Sequence, residues 1–377
     1  MRIIDLLSFQ NGINGTPELY GKGIKYISVG DILNNDYITY DKIAGSIDIN
    51  QETLKNYSVT YGDILFQRSS EIKEDIGRTN VYLDKNHTAT FGGFVIRGKK
   101  IGDYNPTFFN YLLKSPSSRQ SIVRLGAGAQ HYNIGQENIK TLNFYFPDEE
   151  EQQKIANLFS KIDERIQTQI KIIELKQSLI KDIEDRILWK STNTHSRPIS
   201  DFIVELNDKS KIQNQYPLLS STKRGLFLQT DYFNKEAASS NNIGYKIVHK
   251  GDIIISPQNL WMGNITYNDK FDNGLVSPSY RIYKVKEEYN AFYISRILMS
   301  YRALSLYKNI SEQGASIVRR NLNVDAFNEL CFPIPDIKNQ DEVGLFLSKL
   351  HQELNSEIEI LRQLKNQKKY LLCNLFI

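Results

Sequence analysis

The sequence predicts an α+β protein: two similar mixed α/β domains, each followed by a long helix, the helices packing as an antiparallel coiled coil with pseudo-two-fold symmetry. Three observations predict it. The segment Asn133–Leu175, reading NIGQENIKTLNFYFPDEEEQQKIANLFSKIDERIQTQIKIIEL, is echoed by NLNVDAFNELCFPIPDIKNQDEVGLFLSKLHQELNSEIEILRQ from Asn321, with Asp148 falling on Asp336, an offset of 188. A repeat of nearly half the chain length means two copies of one supersecondary unit. The stretch after each aspartate carries apolar residues at helical spacing, and the stretch before each repeat shows short apolar bursts broken by turn residues.

Taken in order, residues 1–147 form the first domain. The bursts GIKYISVGDI, YGDILFQRSS and TFGGFVIRG read as strands. PTFFNYLLKSPSSRQSIVRL reads as helix, broken near Pro116. Residues 148–190 form the first long helix. Pro147 disfavours helix before it, Asp148 is a natural N-cap, and Glu149, Glu150 and Glu151 suit the positive end of the helix dipole. Phe159, Ile162, Ile166, Ile173 and Ile180 make a seam that Gln169 and Lys176 interrupt. About 40 helical residues would span roughly 60 Å.

Residues 191–336 form the second domain, entered through a polar linker, STNTHSRP, and repeating the first domain's texture in YPLLSS, KGDIIISPQNLW, LVSPSYRIYKV and the helical AFYISRILMSYRALSLY. Gly62-Asp63-Ile64 and Gly251-Asp252-Ile253 correspond and read as structural turns before core strands. Residues 337–377 form the second long helix, with Leu347, Leu350, Leu354, Ile358, Leu361, Leu364, Leu371 and Leu375 as its seam. Two such seams facing each other bury both, at about 1.5–3 kcal/mol per fully buried large side chain.

Composition bounds the function classes. The net charge of +4 sits on the two domains, 16 basic against 15 acidic residues in 1–148 and 17 against 14 in 191–336. Neither is polybasic, so any nucleic-acid contact must come from local patches. Cys331 and Cys373 form no metal-ligand spacing or disulfide framework, which fits a reducing cytoplasm. The opening MRIIDLLSF is too short an apolar run for a secretory signal, and no stretch has the roughly 18 apolar residues of a membrane span.

Catalytic signatures are missing. Gly15 to Gly21-Lys22-Gly23 has the wrong spacing for a phosphate loop, and Gly126-x-Gly128 lacks the third glycine of a dinucleotide fingerprint. No Pro-Pro pair is available for an adenine-methyltransferase tetrapeptide. A metal nuclease built on Asp148, Glu174 and Lys176 would need residues that instead belong to an amphipathic helix. His87, His131, His195, His249 and His351 build no zinc or triad spacing. The chain reads as a non-catalytic binding protein.

FPDEEEQQKIANLFSKIDE and FPIPDIKNQDEVGLFLSKL, with the paired YGDILFQR and KGDIIISP, resemble the specificity subunit of type I restriction-modification enzymes, over essentially the whole chain. The departures are Asp341-Glu342 where the first helix has Gln153-Lys154, and a short central linker. The resemblance implies two target-recognition domains, each reading half of an asymmetric bipartite site in double-stranded DNA. It implies helices that set the spacing and dock two methylation subunits, with restriction (motor) subunits joining the complex. S-adenosylmethionine, ATP and magnesium would belong to those partners and no cofactor to this chain. The alternative is a non-catalytic coiled-coil interaction scaffold with no DNA role.

Base reading needs forked or bidentate groups, and phosphate contacts need Lys, Arg, hydroxyls or amides. In the first domain the candidates are Gln67, Arg68, Ser69, Ser70, Lys73 and Arg78 after the Gly-Asp-Ile strand. A glycine-flexible segment adds Gln130, His131, Tyr132 and Asn133, preceded by Arg119 and Arg124. In the second they are Gln258, Asn259 and Trp261, then Ser316, Arg319, Arg320 and Asn321, with Lys223 and Arg224 in a further basic turn. A solvated surface side chain is the ordinary alternative for each, and Tyr132 and Trp261 read as packing aromatics.

Overall fold

The computed structural model describes residues 2–128, 131–190, 194–223, 225–232, 241–313 and 320–376. It divides into two compact units, Met1–Ile170 with Ile360–Ile377, and Lys171–Glu359, so each long helix contributes to both. The first long helix runs Glu149–Lys190 and the second Ile337–Asn374. Among the described residues no helix is long and apolar enough to cross a membrane.

Each unit is built on a four-stranded sheet with the same strand order. In the first unit the strands lie as Leu7–Asn11, Val95–Lys100, Ile64–Gln67, Thr79–Val81. In the second they lie as Ile203–Leu206, Arg281–Val285, Ile253–Ile255, Ile265–Tyr267. All neighbours in both sheets are antiparallel. Ile64, Phe66, Ile96, Phe108, Phe109 and Leu113 share one core in the first unit. Ile253, Ile255, Tyr283, Ile294, Ile297 and Phe327 share its counterpart in the second.

The Gly-Asp pair before each central strand is a repeated turn device. Gly62 and Gly251 take φ of +92° and +95°, a region that only glycine enters cheaply. Asp63 is buried and accepts from the Thr60 amide (3.0 Å) and the Lys100 amide (2.9 Å). Asp252 accepts from the His249 amide (2.7 Å). Burial pushes both carboxyl pKa values up, opposed by these amide hydrogen bonds.

The helical stretch of each domain divides in two, as Pro116 predicts for the first. Pro106–Leu112 is followed by Pro116–Val123, and Ala291–Leu298 by Tyr301–Asn309. Two expectations fail locally. The burst GIKYISVGDI is strand only to Ile27, because Ser28 starts a helix, Val29–Asn34, whose Asp31 accepts from both the Ser28 amide and hydroxyl. The polar linker is partly a strand: Thr194–Pro198 pairs with Cys331–Pro335, so backbone pairing replaces the apolar pattern that a sequence would show. Residues 191–193 lie outside the described residues.

A buried glutamine joins each domain to its long helix. Gln152 donates to the carbonyl of Pro147 (2.9 Å) and accepts from the amide of Asn105 (3.0 Å). Gln340 donates to the carbonyl of Pro335 (2.8 Å) and accepts from the amide of Asn290 (3.0 Å). Asn105 and Asn290 are in turn the N-caps of the core helices, accepting from Phe108 and Tyr293. Outside each glutamine a second bond repeats, Asn105 to Gln153 (2.7 Å) and Asn290 to Asp341 (2.8 Å). The side-chain carboxylates of Asp148 and Asp336 cap the long helices through the amides of Glu151 and Asn339.

Within each unit the long helices run antiparallel. In the first, Phe159 stacks on Phe376 and Asp163 meets Lys368, while Ile162, Ile166 and Leu364 cluster with Ile170, Leu361 and Leu371. In the second, Lys176 meets Glu357 at 2.8 Å and Glu184 meets His351 at 2.9 Å. Ile173, Ile180 and Leu354 are buried; Phe159 and Leu347 are buried too, but within the domain cores, and Leu350 packs half-buried beside Leu347. Ile358 and Leu375 are exposed, unlike the expected seam. Strict three-and-four alternation from Leu354 falls on Glu357 rather than Ile358, and that glutamate takes up the Lys176 interruption.

A polar clasp repeats with its charges exchanged. Six residues after each capping asparagine stand Tyr111 and Arg296, and Asp163 and His351 correspond at the 188-residue offset. In the first unit Asp163 accepts from the Tyr111 hydroxyl (2.7 Å) and pairs with Lys368 on the other helix. In the second, Glu184 on the other helix receives a two-pronged bond from Arg296 (2.5 and 2.9 Å) and contacts His351.

Two outcomes follow from these joints. Replacing Gln152 or Gln340 with Ala leaves a carbonyl and an amide unpartnered, and each should cost about 1–3 kcal/mol in urea unfolding. Exposed Gln153→Ala should cost under ~0.5 kcal/mol; equal losses for Gln152→Ala and Gln153→Ala would remove the glutamine from this role. The second concerns acid. Burial pushes the Glu184 carboxyl up from its ordinary 4.5, and His351 and Arg296 outweigh that and hold it lower. A depressed folded pKa adds stability that is complete above the unfolded value and lost as pH falls through the folded one. Glu184→Gln should therefore lower stability at neutral pH and flatten the decline below about pH 4.5. An unchanged acid limb in that variant would assign the decline elsewhere.

Candidate nucleic-acid interface

The two candidate loops of the first domain form one surface. Beyond strand Ile64–Gln67, Arg68 turns outward and Ser69–Ser70 pairs antiparallel with Tyr132–Asn133. The Ser69 hydroxyl donates to the Asn133 side chain at 2.5 Å, and the Ile134 amide donates to the Arg68 carbonyl at 3.0 Å. Gln67, Ser69, Ser70, Glu71, Ile72 and His131 line a shallow groove of about 380 Å³. Arg68, His131 and Asn133 are exposed, and Ser69 and Ser70 half-exposed. Tyr132 packs half-buried against the domain core.

Not every candidate reaches this surface as a free group. Gln67 is buried, with its amide donating to the Ser69 carbonyl at 2.8 Å, so it supports the loop from beneath. The Arg78 side chain bonds Asp75 twice, at 2.9 and 2.7 Å. Arg119 donates to the carbonyls of Glu74, Ile76 and Gly77, and burial, with Arg78 adding to it, pushes its pKa down to about 10. It is spent on holding the loop after Lys73, which is itself exposed. Arg124 is exposed where helix Pro116–Val123 ends, and Gln130 lies outside the described residues.

The second domain joins its loops by other means. After strand Ile253–Ile255 the chain folds on itself through Asn259 to Ser256 and Asn264 to Asn259 backbone bonds, with one helical turn at Leu260–Met262. Gly263, at φ +88°, ends that turn. The Arg320 amide donates to the Gln258 carbonyl at 3.2 Å, and its guanidinium lies 4.5 Å from the Trp261 ring centre. Trp261 thus packs, as its type suggests, and also carries a cation on its face. Gln258 and Asn321 are exposed, with Asn321 paired opposite Glu312. Lys223 lies elsewhere, lining a cavity of about 350 Å³ with Gln177, Lys181 and Arg296. Arg224, Ser316 and Arg319 lie outside the described residues.

One residue of this surface escapes sequence reasoning. Phe94, in the burst TFGGFVIRG, reads as strand core, yet it stands in a turn with 67% of its surface exposed, and its carbonyl accepts from the Arg68 amide at 2.9 Å. The Gly92-Gly93 pair before it was the available signal. Among the described residues no cluster of His, Cys, Asp and Glu is gathered to hold a metal ion. The arrangement offers rigid surfaces of amides, hydroxyls, guanidinium and aromatic rings, which suit recognition.

Comparison with known proteins agrees. A family model described as the type I restriction modification DNA specificity domain matches residues 13–177. A curated relative from Methanocaldococcus jannaschii, named as the MjaX specificity subunit of a type I restriction enzyme, is 24% identical over 363 residues, covering 89% of this chain and 82% of the relative. The crystal structure of a type I restriction-modification S subunit from M. genitalium aligns with TM-score 0.56 at 18% identity, covering 100% of this chain and 95% of that one. A chain from a structure addressing complex assembly and conformational transition of the type I system aligns with TM-score 0.61 at 11% identity, covering 99% and 95%. At these identities the structural likeness establishes a shared fold. Residues 13–177 thus match the type I DNA specificity domain, and the chain is similar along most of its length to a type I specificity subunit.

Proposed function

We propose that each domain of this chain reads one half of an asymmetric, bipartite site in double-stranded DNA, while the paired helices set the spacing and dock two methylation subunits. Its similarity to specificity subunits supports a DNA-recognition role as a non-catalytic component. Restriction subunits would join through the complex, and S-adenosylmethionine, ATP and magnesium would be held by the partners, in a cytoplasmic assembly. The observation that carries the reading is that one frame, repeated, supports two chemically different surfaces. In the first domain Arg68 and Ser69 meet His131 and Asn133; in the second Gln258 and Trp261 meet Arg320. Similar scaffolds with dissimilar loops are what an asymmetric pair of half-sites requires.

The test is methylome sequencing of cells carrying the chain with its methylation subunit. A bipartite adenine-methylated motif should vanish when the chain is deleted. Arg68→Ala should weaken or relax one half of the motif and Arg320→Ala the other, each at about 1–3 kcal/mol per lost base contact. Both variants altering the same half, or no motif depending on the chain beside an active methylation subunit, would reject the assignment.

A further inference from the structure

We infer that Phe94 is a DNA-contacting residue of the first domain, supplying apolar contact to bases where its neighbours supply polar ones. The inference rests on the DNA-reading function proposed above and adds an unassigned specificity determinant to it. Phe94 immediately precedes strand Val95–Lys100, and with Gly62-Asp63 set over Gly251-Asp252 the sheet register places Val95 over Tyr280 and Phe94 over Ser279. Val95 and Tyr280 both turn inward, Val95 onto the core of Leu65 and Phe91 and Tyr280 onto that of Leu219, Val248 and Ile254. Phe94 and Ser279 both face solvent, and the first domain sets a phenyl ring where the second has a small polar side chain. The frame therefore needs no aromatic at this position, and the ring is particular to the surface of the first domain.

The turn that presents the ring is fixed on several sides. The Arg68 amide donates to the Phe94 carbonyl, the Val95 amide to the Gly92 carbonyl, and the Gly12 amide to the Val95 carbonyl. A Cβ on Gly92 would fall 2.3 Å from the Tyr26 hydroxyl, and one on Gly93 would fall 2.1 Å from the Asn14 side chain. The chain thus passes closely over the loop beneath it, and only glycines permit that. Arg68 reaches back toward the Gly93 carbonyl at 3.4 Å, so guanidinium and phenyl ring stand on one rigid ledge beside the Ser69–Asn133 pair. An apolar ring next to forked donors is suited to a thymine methyl group or the exposed face of a base.

The experiment uses the full chain with its methylation subunit, comparing wild type, Phe94→Ala and Phe94→Leu by methylome sequencing, co-purification and thermal melting. Expected is an unchanged melt and an intact complex. Phe94→Ala should show roughly tenfold weaker methylation or relaxed choice at one position, in the Arg68-dependent half only, with partial recovery in Phe94→Leu. An unaltered motif and methylation level in Phe94→Ala overturns the inference while the DNA reading stands. Loss of the methylation subunit from Phe94→Ala also overturns it, making the ring a protein contact. A wild-type chain on which no motif depends removes both.

Discussion

The buried glutamine at the start of each long helix is the constraint on which the rest of each unit depends. A proline carbonyl ends the strand-like entry, and an aspartate caps the helix one residue later. The glutamine four residues on reaches back to that carbonyl and across to the amide of the asparagine that caps the core helix. Three chain directions, of entry, long helix and core helix, are thereby fixed by one amide group that uses a donor and an acceptor at once. Alanine keeps helix propensity at the same position but strands two backbone groups, which is the physical ground for expecting a larger cost there than at an exposed neighbour. The geometry recurs at both ends of the chain with no hydrogen bond differing by more than 0.1 Å in the paired distances.

Beyond that joint the two units diverge in sign while keeping the geometry. The Tyr111–Asp163–Lys368 clasp and the Arg296–Glu184–His351 clasp each tie a core helix to both long helices. The carboxylate sits on the domain's own helix in the first and on the opposite helix in the second. Both carboxylates therefore lie on helix Glu149–Lys190, and their partners Lys368 and His351 lie on helix Ile337–Asn374. A seam interruption is also answered across the helix pair. Lys176, which looks like a flaw in the heptad, meets Glu357 where strict alternation would have placed a leucine.

The architecture was legible because its signals are periodic and twofold. Asp148 over Asp336 and Gln152 over Gln340 survive in a single sequence, without any alignment, because each copy is evidence for the other. The Gly-Asp turns were legible for the same reason. Interface details were not. Gln67 has the right chemistry for adenine, and only burial reveals that its amide is committed to Ser69. Arg119 has the right charge, and only the fold shows three carbonyls around it. Phe94 sits among strand residues, and hydrophobicity gives no hint of which way a turn will point it. Strand Thr194–Pro198 escaped because its stabilisation is backbone pairing to residues far along the chain.

What separates the shared frame from the candidate surfaces in this protein is the place where repetition stops. The two domains keep one sheet order, one Gly-Asp turn and one pair of core helices, and they part just past the central strand, at Gln67 and Ser256. Past those points the first domain closes its surface with a short strand pair and the second with a folded-back loop under a cation–π contact. Rigid tips matter energetically, since ordering a flexible loop on binding costs free energy that a pre-formed surface keeps. The glycines under Phe94, the Ser69–Asn133 bond and the Trp261–Arg320 stack each fix such a tip before any ligand arrives, by three unrelated physical means.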